Sequence, residues 1–114
     1  MKKSAATDEF VSHVVDCLRG LGPVEARRMF GGWGLYHGGV HFALVLHDVL
    51  YLKTDERNRT EFDARKLEPF TFVKAGKTMA TSYRAAPEEA FDDPRVMAKW
   101  AKGAYAAALR KSKG

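Results

Sequence analysis

Apolar positions recur at helical spacing near the start of the chain: Phe10, Val14, Cys17, Leu18 and Leu21 fall on one stripe. The pattern predicts an amphipathic helix over residues 7–21, with Thr7 or Asp8 capping its first turn. Gly20 and Gly22, followed by Pro23, end it, because glycine accepts a left-handed C-cap and proline cannot continue the ladder.

The pattern then changes from helical to strand-like. "VEARRMF" (24–30) reads as a first strand, and "GLYH" and "VHFALVL" flank Gly38-Gly39, a two-residue hairpin signal. With that turn, His37 faces Val40 and Tyr36 faces His41. Strict alternation then puts Leu35, Val40, Phe42, Leu44 and Leu46 on the core side, and Tyr36, His41, Ala43, Val45 and His47 on the other. "VLYLKT" follows the His47-Asp48 turn as a further strand. Either Val49 and Tyr51 or, with a bulge, Leu50 and Leu52 point inward.

"DERNRTEFDARK" (55–66) is a polar surface helix anchored by Phe62, with Thr54 or Asp55 as its cap. "PFTFVK" and "TMATSYR" form a second hairpin around Ala75-Gly76-Lys77. After a turn or short helix from Pro87, Asp92 or Asp93 caps a long C-terminal helix with Pro94 in its first turn. Met97, Trp100, Ala101, Ala104 and Ala108 mark the buried face of that helix. Sequential hairpins imply an antiparallel sheet, here of five or six strands, and the two terminal helices must bury their stripes on one face of it. The expected fold is a two-layer α+β sandwich, a single domain over residues 1–114 with frayed tails at 1–6 and 110–114.

Composition narrows the functional classes. With 114 residues, 46% hydrophobic and 29% charged, the chain suits one folded domain. One cysteine, Cys17, excludes an internal disulfide framework and a cysteine-based zinc cluster. No stretch approaches the roughly 20 apolar residues of a membrane-spanning helix, and no targeting segment precedes the first helix. The expected location is the cytoplasm, without membrane association. The net charge of +5 has its origin at one end: residues 95–114 hold six Lys or Arg and no Asp or Glu. Such an end attracts nucleic acid or an acidic partner, or simply complements a helix C-terminus.

The glycine-rich stretch "RRMFGGWGLYHGG" (27–39) is no phosphate loop, since it lacks G-x-G-x-x-G spacing and leads into strands rather than a helix. His37 and His41 fall on opposite faces of the hairpin, and His13 drifts off the apolar stripe, so no metal site is expected. Cys17 lies on a core stripe, Ser82 has no nucleophile elbow, and Glu88-Glu89 and Asp92-Asp93 are helix-start residues. No catalytic constellation and no cofactor site emerges, and the chain is expected not to be an enzyme. Nucleic-acid binding stays open through Arg27, Arg28, Trp33 and Tyr36, joined by Lys99, Lys102, Arg110 and Lys111.

The string "RRMFGGWGLYHGGVHFALVLHDVLYLKTD", then "PFTF" and "SYRAAPEEAFDDP", resembles the N-terminal domain of the TfoX/Sxy competence regulators. The resemblance runs from about Val24 into the C-terminal helix, and Arg28, Phe30, Gly31, Gly32, Gly34 and Tyr36, with Arg27 and Trp33 among them, carry the signature. It implies an α+β domain and a regulatory, non-enzymatic role through protein–protein contacts, with the cyclic-AMP receptor protein as a partner of the full-length members. Those members carry a second, helix-hairpin-helix-like domain beyond the point where this sequence ends, so a stand-alone N-terminal domain is expected. Two alternatives remain beside it: a direct nucleic-acid binder and a small-molecule sensor. Open sheet edges make a homodimer a further expectation.

Overall fold

The computed structural model describes residues 2–29 and 31–113. Its elements are α1 (Lys2–Cys17), β1 (Glu25–Met29), β2 (Gly32–His37), β3 (Val40–Leu46), β4 (Val49–Lys53), α2 (Arg59–Ala64), β5 (Pro69–Lys74), β6 (Lys77–Ala85) and α3 (Pro94–Lys113). Short 3-10 turns cover Leu18–Gly20 and Glu88–Asp92. All neighbouring strands are antiparallel in one sheet ordered β1-β2-β3-β4-β6-β5. α1 and α3 pack on one face of it, the α+β arrangement that the hairpin pattern implies.

The first helix starts earlier than the capping residues suggest. Thr7 and Asp8 lie inside α1, which begins at Lys2, because the residues before them favour helix as well. Val11, Val14, Cys17 and Leu18 are buried, while Phe10 and Leu21 pack at the margin of the core.

The Gly38-Gly39 turn has the expected register, His37 opposite Val40 and Tyr36 opposite His41. Both glycines take positive φ, 58° and 79°, as this tight turn requires. Beyond it a bulge intervenes: Leu35 pairs with Ala43, leaving Phe42 as the extra residue. The side chains of β3 therefore change faces part-way along. Ala43 and Val45 are in the core with Phe42, whereas Leu44 and Leu46, expected inward, lie on the opposite face. The shift carries into β4, where Leu50 and Leu52 point inward although the His47-Asp48 turn is only two residues long. Those two residues take φ 51° and 60°, a left-handed pair that Asp and His tolerate better than branched residues.

α2 is not capped by Thr54 or Asp55. Asn58 precedes it, and its buried side chain braces the loop, accepting from the Asp55 N–H at 2.8 Å and donating to the Lys53 carbonyl at 3.1 Å. Thr54 instead donates its hydroxyl to the Ser82 carbonyl at 2.8 Å, tying the end of β4 to β6. The second hairpin turns on Ala75-Gly76 alone, with Lys77 already paired to Lys74. α3 starts as expected, Asp93 Oδ1 accepting the Arg95 N–H at 2.9 Å ahead of Pro94. Met97, Trp100, Ala101, Ala104 and Ala108 are buried against the sheet. The small residues let the helix backbone approach closely, while Trp100 meets Phe62 edge-on with ring centroids 4.9 Å apart.

Candidate interaction surface on the open face of the sheet

The signature stretch forms the hairpin of β1 and β2, and alternation divides its residues between two faces. Arg27 pairs with Gly34 and Met29 with Gly32 on the face without helices, while Arg28 pairs with Trp33 on the helix side. Each arginine stacks on an aromatic ring: the Arg27 guanidinium lies 4.6 Å from the centre of Tyr36, and that of Arg28 lies 4.9 Å from the centre of Trp33. Arg27 also donates to Glu25 at 3.1 Å. The two arginines therefore do not form one cationic patch. Phe30 lies outside the described residues.

The glycines of the stretch do three different jobs. Gly31 makes the turn into β2 with φ 78° and open space around it. At Gly32 a Cβ would overlap the Val45 carbonyl oxygen and the Leu46 side chain. At Gly34 it would come within 2.7 Å of Met29 Cε and 3.2 Å of His41 Nε2. Missing side chains on β2 thus let Leu46, Met29 and His41 lie down on the strand. For Leu46 no sequence spacing could have shown this, because it depends on the bulge that turns Leu46 to the open face.

Laid-down side chains leave a cleft of about 460 Å³, bordered by Met29, Leu44, Leu46, Phe70 and Phe72, and at its edge by Trp33, which otherwise packs on the helix side beside α1. All six are apolar. Phe72 pairs with Met79 at the rim, and each is 43% exposed. Tyr51 on β4 reaches Phe70 on β5 across the intervening β6, with ring centroids 5.4 Å apart. An uncovered sheet face would ordinarily be polar, and this one is apolar along its centre.

A row of rings continues the same face beside the cleft. His41 stacks on Tyr36 at 4.9 Å and meets Tyr83 at 5.7 Å, with its Nδ1 3.4 Å from the Tyr83 hydroxyl. Cations close both ends, Arg27 over Tyr36 and Lys53 over Tyr83, the latter at 5.0 Å. Burial pushes the His41 imidazole below its usual pKa, an effect that a backbone hydrogen bond to Ala43 opposes and the charge of Lys53 reinforces. Its Nε2 is buried without a hydrogen-bond partner. Burial also raises the Tyr83 phenol.

The remaining candidates are dispersed. His37 Nδ1 lies 2.6 Å from the Pro23 carbonyl and its ring meets Tyr105 on α3, on the face opposite His41. Among the described residues no group of three or more His, Cys, Asp or Glu side chains could hold a metal ion. Sequence reasoning missed the closeness of His13 to Cys17, 3.6 Å at Nε2, although their spacing of four on a helix foreshadows it. Burial raises the thiol pKa, which disfavours the thiolate. Lys99 and Lys102 border a shallow depression with Arg95 and Pro94, whereas Arg110 and Lys111 face a different cleft beside β4. The basic residues of α3 thus form two separate groups.

No curated protein matches the chain. The model of the TfoX N-terminal domain family matches residues 16–108, which takes in the first hairpin, the bulged strand, the apolar cleft and most of α3. No described helix is long and apolar enough to cross a membrane. The family is consistent with a regulatory role in competence, and this chain belongs to the TfoX N-terminal domain family.

Proposed function

We propose that this chain is a non-enzymatic regulatory module that binds a protein partner, seating the partner's apolar side chains in the cleft on the open sheet face. One observation carries the reading: an apolar cleft of about 460 Å³ lies on a sheet face that no described helix covers, with Phe72 exposed at its rim and its strand partner Met79 exposed beside it. The ring row and its terminal cations flank the cleft, an apolar centre beside a polar margin as in protein interfaces. Gly32 and Gly34, two residues of the family signature, are the ones that let Leu46 and Met29 form its floor. Family membership supports a regulatory role in competence, and the cyclic-AMP receptor protein is the first partner to test.

The test places the photoreactive residue p-benzoylphenylalanine at position 72 of the full chain in its own cells. A discrete crosslinked protein adduct is expected, lost when Leu46→Arg fills the cleft with charge and absent when the probe replaces Lys99 on α3. No adduct from position 72, or the same adduct from position 99, overturns the reading. Direct nucleic-acid binding has less support, because Arg27 and Arg28 lie on opposite faces and each covers its own ring.

A further inference from the structure

We propose that the cleft between the end of β4, the loop at 54–58 and the last turns of α3 binds the phosphate group of a small phosphomonoester. The cleft encloses about 420 Å³ and is bordered by Lys53, Arg57, Arg110 and Lys111 against the carboxylates of Asp55 and Glu56. That volume falls within the range of small-ligand sites.

The walls are held before any ligand arrives. The Thr54 N–H and hydroxyl both donate to the Ser82 carbonyl, at 2.7 and 2.8 Å, and Asn58 braces Lys53 and Asp55 from below. Arg110 grips Asp55 with two bonds, Nε to Oδ2 at 2.5 Å and Nη2 to Oδ1 at 2.8 Å, and so docks α3 on the loop. Asp55 Oδ1 also accepts the Arg57 N–H at 3.0 Å. The Arg110 hydrogen bonds hold the Asp55 carboxyl at a pKa of about 2. Its charge is balanced chiefly by Arg110, although Lys53 also senses it.

Among the described residues Lys53, Arg57, Lys111 and Glu56 of the lining are without an ion pair, which leaves a positive excess in the cleft. Lys53 donates to Ser82 Oγ at 2.7 Å, and among the described residues neither Lys53 nor Lys111 is ion-paired to a carboxylate. Burial lowers the Lys53 ammonium pKa and the like charge of Lys111 lowers it further, so the two ammonium groups sense each other across the cleft. An anion between them converts that repulsion into two attractions. Lys53 keeps two further N–H donors beyond the one given to Ser82, and the Ser82 hydroxyl, accepting from Lys53, keeps its own proton to donate. Phosphate oxygens suit the N–H and O–H donors that border this cleft, and the cationic excess suits a dianion. Extended nucleic acid fits less well, since Lys99 and Lys102 lie in the separate depression with Pro94 and Arg95.

The experiment is an NMR titration of the 15N-labelled full chain with phenyl phosphate, at ionic strength fixed by sodium chloride. Saturable shifts are expected at the amides of Lys53, Thr54, Ser82 and Lys111. Lys53→Met and Lys111→Met, tested separately and checked for a folded spectrum, should each weaken binding about tenfold or more, roughly 1.4 kcal/mol, whereas Lys99→Met should not. Lys111 is an exposed residue near the helix end, so its variant remains informative if Lys53→Met fails to fold. A second arm uses a single-stranded oligonucleotide without terminal phosphates. The proposal is overturned by linear, non-saturating shifts, by equal affinity in both cleft variants, or by tighter binding of the oligonucleotide at the same residues.

Discussion

His41 shows how much one residue's meaning depends on its neighbours. Sequence spacing placed it opposite Tyr36 and away from His37, and both statements hold. It could not show that Tyr83, 42 positions along the chain, would close over the ring from β6. Enclosed between two tyrosines and near Lys53, the imidazole has its pKa lowered in the folded protein, and the folded state favours it neutral. The unfolded chain protonates it near the ordinary value of about 6.5. Unfolded chains therefore bind more protons below that pH, and the stability from neutral His41 is complete above about 6.5 and lost as pH falls through the lower folded pKa. Urea unfolding midpoints between neutral and mildly acidic pH should fall for the parent protein. His41→Gln should show a smaller slope, the difference bounded by about 1.4 kcal/mol per pH unit for one proton. Parallel curves for the two proteins would remove His41 as the source.

At the scale of elements, the hairpins, the helix faces and α3 were legible because each rests on local chemistry: turn glycines, an apolar stripe, an aspartate before proline. The inner face of β3 was not. A single extra residue at Phe42 inverts everything after it, and alternation carries no sign of a bulge. The role of Gly32 was illegible for the same reason, as Leu46 turns toward it only after that inversion, whereas that of Gly34 depends on where the Met29 and His41 side chains lie across β2, which alternation does not give. Their roles lead to different costs. Gly32→Ala drives a Cβ into the Val45 carbonyl and Leu46, so paired backbones must separate, at about 2–3 kcal/mol. Gly34→Ala meets chiefly the flexible end of Met29, and the strand gains from losing a glycine, so the net change should stay within about 1 kcal/mol. Equal losses of stability in urea unfolding of the two variants would refute the distinction between backbone and side-chain obstruction.

For the whole molecule, the sheet separates two kinds of packing. One face is filled by α1 and α3, and its residues owe their burial to the fold itself. The other face keeps an apolar cleft that no described helix covers, and its rim residue Phe72 remains partly in water. Removing apolar area from water is favourable by roughly 25 cal/mol per Å², so a small neutral apolar molecule should enter the cleft of the native protein. The dye N-phenyl-1-naphthylamine suits the test because it carries no charge and cannot report on the lysines beside β4. Its fluorescence should rise saturably with the folded chain, and Trp33, which borders the cleft, should lose emission to it in parallel. Phe72→Glu places a carboxylate at the rim on a side chain already 43% exposed, so the fold should survive with little change in its unfolding midpoint. Dye binding should nevertheless drop several-fold, because the charge must lose water for the dye to enter. Lys111→Met, at the separate cationic cleft, should leave dye binding as it was. Dye that binds Phe72→Glu as well as the parent, or that responds only on partial unfolding, would mean that the open face is not an accessible apolar site.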